Sequence, residues 1–447
     1  MANLRPLKLC LTLGVLLAVL IASAPGFAAV EGGAGLDPGT RFYVPKPNPE
    51  AKRQIAALLK AGDKQDAALL TTMVSQPQAV WFTQGTPESI EQEVRNTVKR
   101  ALKGRLPVLV AYNIPFRDCA QFSAGGATSV EEYQAWIDAF AAGIGRDPAL
   151  VILEPDGLGI IPWYDPYGGA DGSNALEWCQ PAEADPAAAA AERFQMLNYA
   201  VDALKALPNV RVYLDGTHSA WLGVGDAAHR LAQAGVARAD GFFLNVSNYQ
   251  FTPNLVHYGS WISACLAYAS AVAPGDFFNC PNQYWNGGPL PAKIAELLGE
   301  WTGVALSAYG EWSAETGQPE LNTSGINLRY AGMLGGTLPT TRFVIDTSRN
   351  GAGPWQPPSG VYPDPQDWCN PPDRGLGLRP GAAAGVPLLD AYLWVKIPGE
   401  SDGACTRGLG PAGSTVDPEW GLVDPPAGAW FPQMALQLAR NASPPLP

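Results

Sequence analysis

Carboxylates recur in this chain where short apolar runs finish. Arg117-Asp118-Cys119 follows the run Pro107–Tyr112, and Glu154-Pro155-Asp156-Gly157 closes Ala149–Glu154. Asp215-Gly216-Thr217-His218 closes Val210–Asp215, and Asp346-Thr347-Ser348-Arg349 closes Arg342–Thr347. Lys396 and Glu400-Ser401-Asp402-Gly403 follow Asp390–Lys396. A single acid in such a place is commonly a helix cap. Repetition at successive run ends points instead to a shared site. Hydrolysis of a sugar linkage needs two carboxyls in different states. One hands a proton to the leaving oxygen, and the other activates water or attacks carbon. Competing machinery is weakly supported: the sequence has no HExxH and no phosphate loop. His218, His229 and His257 are too few and scattered for a His-based metal site, and no CxxC occurs. Carboxylates, Arg, Lys and aromatics remain as reagents, so neither metal nor cofactor is implied.

The runs that carry these acids read as strands. There are seven: Ala79–Phe82, Pro107–Tyr112, Ala149–Glu154, Val210–Asp215, Gly241–Asn248, Arg342–Thr347 and Asp390–Lys396. Each is rich in Val, Ile, Leu, Phe or Tyr. Helical patterns lie between several of them, at Pro87–Arg105 behind a capping Thr86, at Glu131–Gly145, and at Asp185–Leu207 with Asp185 as the expected N-cap and Pro186 in the first turn. Continuous apolar strands alternating with helices predict a parallel sheet covered on both faces. Seven units fit a closed or nearly closed barrel, and a doubly wound sheet fits almost as well. In either fold the C-terminal strand edge holds the active site. Gly159–Pro186 and Phe251–Pro339 read as long insertions, and Gly351–Pro387 as a long loop.

Arg5 and Lys8, the apolar run Leu9–Ile21 and the small residues after it form a secretory signal pattern, expected over residues 1–28. The run is short for a membrane span, which needs roughly 20 residues. A single catalytic domain is expected over 29–440, with a tail at 441–447. Removing Arg5 and Lys8 takes the net charge from −12 to about −14. Such an acidic surface argues against nucleic acid and anionic membranes as partners. An apolar content of 47% supports a large core, and 49 Gly with 42 Pro predict long ordered loops. The 14 Trp offer stacking surfaces for sugar rings, although most are expected in the core. Cys10 leaves with the signal, and an even set of six remains. Pairing neighbours in order gives Cys119–Cys179, Cys265–Cys280 and Cys369–Cys405, one of many connectivities an exported chain could adopt.

Four segments together resemble glycoside hydrolase family six, a family of cellobiohydrolases and endoglucanases. They are Tyr112-Asn-Ile-Pro-Phe-Arg-Asp-Cys119, Ile152-Leu-Glu-Pro-Asp-Gly-Leu158, Tyr213-Leu-Asp-Gly-Thr-His218 and Val395-Lys-Ile-Pro-Gly-Glu-Ser-Asp-Gly403. The resemblance runs from about Phe42 to Pro432. It implies a distorted TIM-like α/β barrel of about seven parallel strands, with the active site at the C-terminal strand ends under long loops. It assigns Asp156 as general acid, Asp118 as the neighbour that keeps Asp156 protonated and can receive a proton through water, Asp402 as base, and Tyr112 to the cleavage subsite. Trp81, Trp221 and Trp368 match stacking platforms, and Lys396 and Glu400 match hydrogen-bonding groups. Asp215 and His218 share that rim, and Asn248 and Arg349 at other strand ends are counted with the substrate contacts. Ser123 matches a serine near the catalytic water, although a strict count from Asp118 reaches Ala124. Cys119–Cys179 and Cys369–Cys405 match family disulfides, whereas Cys265–Cys280 follows from spacing alone. Val224 stands where some relatives carry a further Trp, so a far subsite is expected either to be weaker or to be supplied by another aromatic such as Trp261 or Trp285. The resemblance implies a secreted, monomeric, inverting cellulase acting on cellulose and cello-oligosaccharides. The insertions predict a roofed tunnel and release of cellobiose from non-reducing ends, with an open-cleft endoglucanase as the alternative. A non-catalytic glucan binder would be expected to lack one of Asp118, Asp156 and Asp402.

Overall fold

The computed structural model describes residues 35–101, 104–119, 121–164, 179–284 and 304–447. The expected signal segment, Trp285 and the middle of both insertions lie outside the described residues. All seven runs form parallel strands: β1 (Val80–Phe82), β2 (Val108–Ala111), β3 (Ala149–Leu153), β4 (Val210–Asp215), β5 (Gly241–Leu244), β6 (Arg342–Asp346) and β8 (Leu389–Leu393). A two-residue strand, β7 (Gly381–Ala382), adds antiparallel to β8, giving the order β1-β2-β3-β4-β5-β6-β8-β7. The sheet curls until its ends meet. The Ala79 N–H donates to the Trp394 carbonyl at 2.9 Å, and the Trp81 indole donates to the Val395 carbonyl at 2.8 Å. That contact decides for the distorted barrel over the open doubly wound sheet.

Two shells of core follow from the two-residue period of the strands. Val108, Val110, Leu150, Ile152, Tyr213, Phe243, Val344 and Leu393 cluster with one another inside the curl. Their sequence neighbours Leu109, Ala111, Val151, Leu153, Val212, Leu214, Phe242 and Ile345 face outward to the helices. Burial on both faces explains why these strands read as unbroken apolar runs.

The helices are α1 (Pro49–Ala61), α2 (Lys64–Val74), α3 (Pro87–Ala101), α4 (Val130–Ile144), α5 (Ala189–Lys205), α6 (Val224–Gln233), α7 (Thr252–Ala267), α8 (Ser324–Leu334) and α9 (Pro432–Arg440). Helix α4 begins where the Ser129 hydroxyl accepts from the Glu132 N–H. Helix α5 starts later than expected. Asp185 accepts from the Ala187 N–H at 2.9 Å, which closes a local turn ahead of the helix and not its first turn. Strand β5 also ends earlier than its apolar run, because Asn245 and Ser247 adopt left-handed φ of 71° and 61°. The three disulfides join Cys119 to Cys179, Cys265 to Cys280 and Cys369 to Cys405.

Candidate active site

The strand ends converge on a cleft of about 850 Å³. Trp81, Tyr112, Asp118, Ser123, Asp156, His218, Trp221, Asn248, Trp368, Lys396, Glu400 and Asp402 all line it. Their backbone leaves ordinary strand geometry as it arrives. Asp118, Glu154, Asp156 and Thr217 have φ of 48°, 52°, 61° and 58°. Left-handed non-glycine residues gathered at one edge are a mark of a functional site, because surrounding contacts must hold each one there.

Those contacts are buried polar groups beneath the cleft. Glu154, fully buried, accepts from the Asn113 and Ile114 N–H groups and so fixes the loop after β2. Burial pushes its carboxyl up to about 7. The buried Arg193 of α5 donates to the carbonyls of Gly157 at 2.8 Å and Ile160 at 2.7 Å, and to that of Pro115 at 2.7 Å. One guanidinium thus ties the loop bearing Asp118 to the loop bearing Asp156. The buried Arg230 of α6 adds a bond to the Leu158 carbonyl at 2.8 Å.

Asp156 sits in this frame with its carboxyl raised well above the ordinary carboxylate range. Burial is the first cause and the charges of Asp215 and Asp118 follow. Asp215 is itself raised to about 6 by burial, yet it accepts from the N–H groups of Thr217, Leu158 and Gly159 at 2.8, 3.2 and 3.2 Å. Three donors favour the anion on Asp215, and its charge adds to the burial that raises Asp156. Asp118 is raised by burial and accepts from the Ser123 N–H at 2.6 Å. Asp402 is the opposite case. Its burial would raise it, but Arg349 and Lys396 outweigh that and hold it below the usual range. Arg349 donates to both Asp402 oxygens at 2.9 Å, and Lys396 lies 3.2 Å away. The Tyr249 hydroxyl and Asn370 N–H, each at 3.0 Å, complete its shell. The cleft therefore holds a protonated carboxyl and an ionised one.

Aromatic walls flank these acids. The Trp81 and Tyr112 rings meet edge to face at 5.4 Å, and Arg117 lies over Tyr112 at 4.8 Å. Tyr112 is almost fully buried and its hydroxyl is raised by burial, so it stays neutral. Burial lowers His218 to about 3, so the imidazole beside Trp221 is neutral as well. Glu400 accepts from the Asn48 amide at 3.0 Å. On the loop after β2, Phe122 reaches across to Trp368 at 5.9 Å and closes on Gly403, where an added Cβ would meet its ring.

Two expected substrate contacts are placed differently. Asp215 and Arg349 are buried below the cleft, 3% and 0% exposed, where they hold Asp156 and Asp402. Trp261 is likewise 0% exposed, stacked on Trp312 within the core, so it offers no sugar platform. Ser123 and Ala124 both line the cleft. Sequence reasoning missed Tyr249, Asn370 and Arg193. Tyr249 had a signal, since it directly follows the run Gly241–Asn248. Asn370 and Arg193 had none, because their partners lie far along the chain, for Arg193 three backbone carbonyls and for Asn370 the groups around Asp402 and Asp424. Among the described residues Cys405, Asp417 and Asp424 lie within 4.8 Å of one another. The Cys405 thiol is spent in its disulfide and Asp417 pairs with Arg407, so the group is a poor metal site.

Comparison with known proteins gives the same direction. Residues 37–442 match the family model described as "Glycosyl hydrolases family 6". The chain is similar to Endoglucanase A of Cellulomonas fimi, 33% identical over 385 residues, which is 86% of this chain and 58% of that protein. It is similar to a probable 1,4-beta-D-glucan cellobiohydrolase C of Aspergillus terreus, 30% identical over 75% of this chain and 59% of that protein. It thus spans less than two thirds of either relative's length. Among solved structures it resembles the endoglucanase Cel6 from Mycobacterium tuberculosis in complex with a thio-linked cello-oligosaccharide. That likeness is 31% identical, with a TM-score of 0.58, over 90% of this chain and 97% of that one.

Proposed function

This chain belongs to glycosyl hydrolases family 6, a family of cellulases, and from that membership we propose that it hydrolyses β-1,4-glucosidic bonds of cellulose and cello-oligosaccharides with inversion. The observation that carries the reading is the split between carboxyl states in one cleft: Asp156 raised, Asp402 lowered. Asp156 gives its proton to the leaving oxygen. Water attacks from the opposite face of the sugar. Asp402 is a weak base here, because four donors already make five contacts with its oxygens. Asp118, raised and open to the cleft, is the stronger acceptor for the proton of that water, directly or through a further water. Asp402 supplies fixed negative charge as the sugar becomes cationic. Trp81, Trp221 and Trp368 stack the chain. The first-formed anomer tests this: proton NMR of fresh hydrolysate shows the α form, and a β product sinks the inverting assignment.

Cleavage inside chains is the proposed mode. Two relatives that the chain resembles at 33% and 31% identity are named endoglucanases. A second reading, release of cellobiose from chain ends, draws on the contact of Phe122 with Trp368, which narrows the cleft. The insertions expected to roof it fall partly on 165–178 and 285–303, outside the described residues. A soluble cellulose derivative separates the two modes. Rapid viscosity loss with few new reducing ends marks internal cleavage, and slow loss with cellobiose as sole product marks the second reading. We also propose export of a single, monomeric catalytic domain over 29–440, which three disulfides favour.

A further inference from the structure

Trp221 stands on a turn that its own segment holds only in part. The turn runs from His218 to Gly223 and closes with two local bonds, Trp221 N–H to the His218 carbonyl at 3.1 Å and Ala220 N–H to the His218 Nδ1 at 3.2 Å. Its outward carbonyls are met from elsewhere. The Gln283 amide donates to the carbonyls of Ser219 at 3.0 Å and Leu222 at 2.9 Å. The Tyr258 hydroxyl, from α7, donates to Leu222 at 2.8 Å, and the Tyr284 hydroxyl to Trp221 at 3.1 Å. Gln283 is 1% exposed, so its amide cannot exchange these partners for bulk water. The segment carrying Gln283 and Tyr284 is anchored just upstream, where Cys280 is bridged to Cys265 on α7. The same segment is pinned downstream, where the Leu306 N–H donates to the Gln283 carbonyl at 2.7 Å.

The Trp221 ring has little room. It lies over Gly159, where an added Cβ would fall 2.5 Å from the ring, and it packs beside Ile160 and the Cys119–Cys179 bridge. Gly159 is three residues from Asp156, so the platform adjoins the acid's loop, and the proposed stacking places the leaving sugar on that side. A small rotation of the turn would tilt the ring away from the sugar without moving the acids.

We propose that Gln283 is a positioning residue for the Trp221 platform, and that the Cys265–Cys280 bridge and Tyr284 belong to the same brace. The inference rests on Trp221 stacking substrate, as proposed above. It assigns an amide with no contact to sugar a specific part in binding long chains. A brace of this kind affects only substrates that reach the platform.

The test compares two substrates. Cellohexaose places sugars on both sides of the cleaved bond, whereas β-cellobiosyl fluoride has no sugar on the leaving side. Gln283→Met keeps the side chain's length and removes its donor. It is expected to raise KM for cellohexaose about five- to tenfold with kcat little changed, and to leave kcat/KM for the fluoride within about twofold. Tyr284→Phe, a half-exposed site that tolerates the change, is expected to act in the same direction by about twofold. Combining Gln283→Met with Trp221→Ala should cost no more than Trp221→Ala alone, because a tilted platform and a missing one are equivalent. Equal losses on both substrates, or losses that add in the double variant, would overturn the brace and leave Gln283 as a general stabiliser. If Trp221→Ala itself keeps full affinity for cellohexaose, the stacking reading fails and the inference goes with it. Should Gln283→Met not fold, the Tyr284→Phe result decides alone: an unchanged KM refutes the proposal.

Discussion

Arg193→Met puts the clamp between the two acid loops at risk. The wild-type guanidinium donates to three buried carbonyls, two on the Asp156 loop and one on the Asp118 loop. A bond to a charged donor contributes roughly 1.5–3 kcal/mol, so three set a ceiling of roughly 4–9 kcal/mol. The loops can relax and admit water, so the expected loss lies near the lower end, about 4 kcal/mol. With an unfolding entropy of roughly 2.1 cal/mol/K per residue, a domain of this size melts about 5 °C lower. The activity effect is separable from stability. Both loops carry strained left-handed residues that the clamp holds, and a shift of about 1 Å between reacting groups can cost about a hundredfold. Measured well below the melting point, kcat on cellohexaose should fall ten- to a hundredfold. Arg193→Lys, with one ammonium for three carbonyls, should fall between. Calorimetry and steady-state kinetics on the same preparations check both numbers. An Arg193→Met protein that melts within about 1 °C of wild type and keeps its kcat would refute the clamp.

Asp156→Asn should lower the rate on cellulose by about 10²–10⁴, and far less on β-cellobiosyl fluoride, whose leaving group needs little proton help; comparing kcat/KM on the two checks it. Activity should trace a bell against pH, falling on the acid side as the raised Asp118 takes a proton and on the alkaline side as Asp156 loses one; kcat/KM against pH shows both limbs. Arg349→Leu should cost about 3 kcal/mol by leaving the buried Asp402 with Lys396 as its one ion-pair partner. Asp402 has a lowered folded value, so the stability it contributes is present above the unfolded carboxyl range near about 3.9 and is lost as pH falls through the lowered value; urea titrations of the variant should be flatter than wild type in that window. Glu154 has the reverse sign. Its value is raised to about 7, so it favours the fold at acid pH and withdraws that support as pH rises from the ordinary carboxyl range through about 7. Glu154→Gln should flatten that decline in melting temperature.

The strands were legible in the sequence because burial on both faces demands unbroken apolar runs, and that demand leaves a local mark. The acids at their ends were legible for the same reason: a parallel strand must hand its chain to the site edge, so Asp118, Asp156 and Asp402 sit at fixed offsets from Tyr112, Leu153 and Val395. Neighbour pairing of the cysteines was also right. What the sequence could not carry was the vertical order of the polar groups. Asp215 and Arg349 have the same local signature as Asp156 and Lys396, yet they lie under the cleft, since depth depends on how the sheet curls and which helix covers it. Arg193 and Gln283 act through backbone carbonyls dozens of residues away, and such partners leave no residue-type pattern; Asn370 meets Asp402 only once two distant loops are brought together. Trp261 read as a possible platform and is core, because exposure is decided by the packing of α7 and not by the side chain. Residue type and spacing therefore determined which chemistry is available here. The closure of the barrel, which sets burial and so each carboxyl's charge, decided which acid holds the proton.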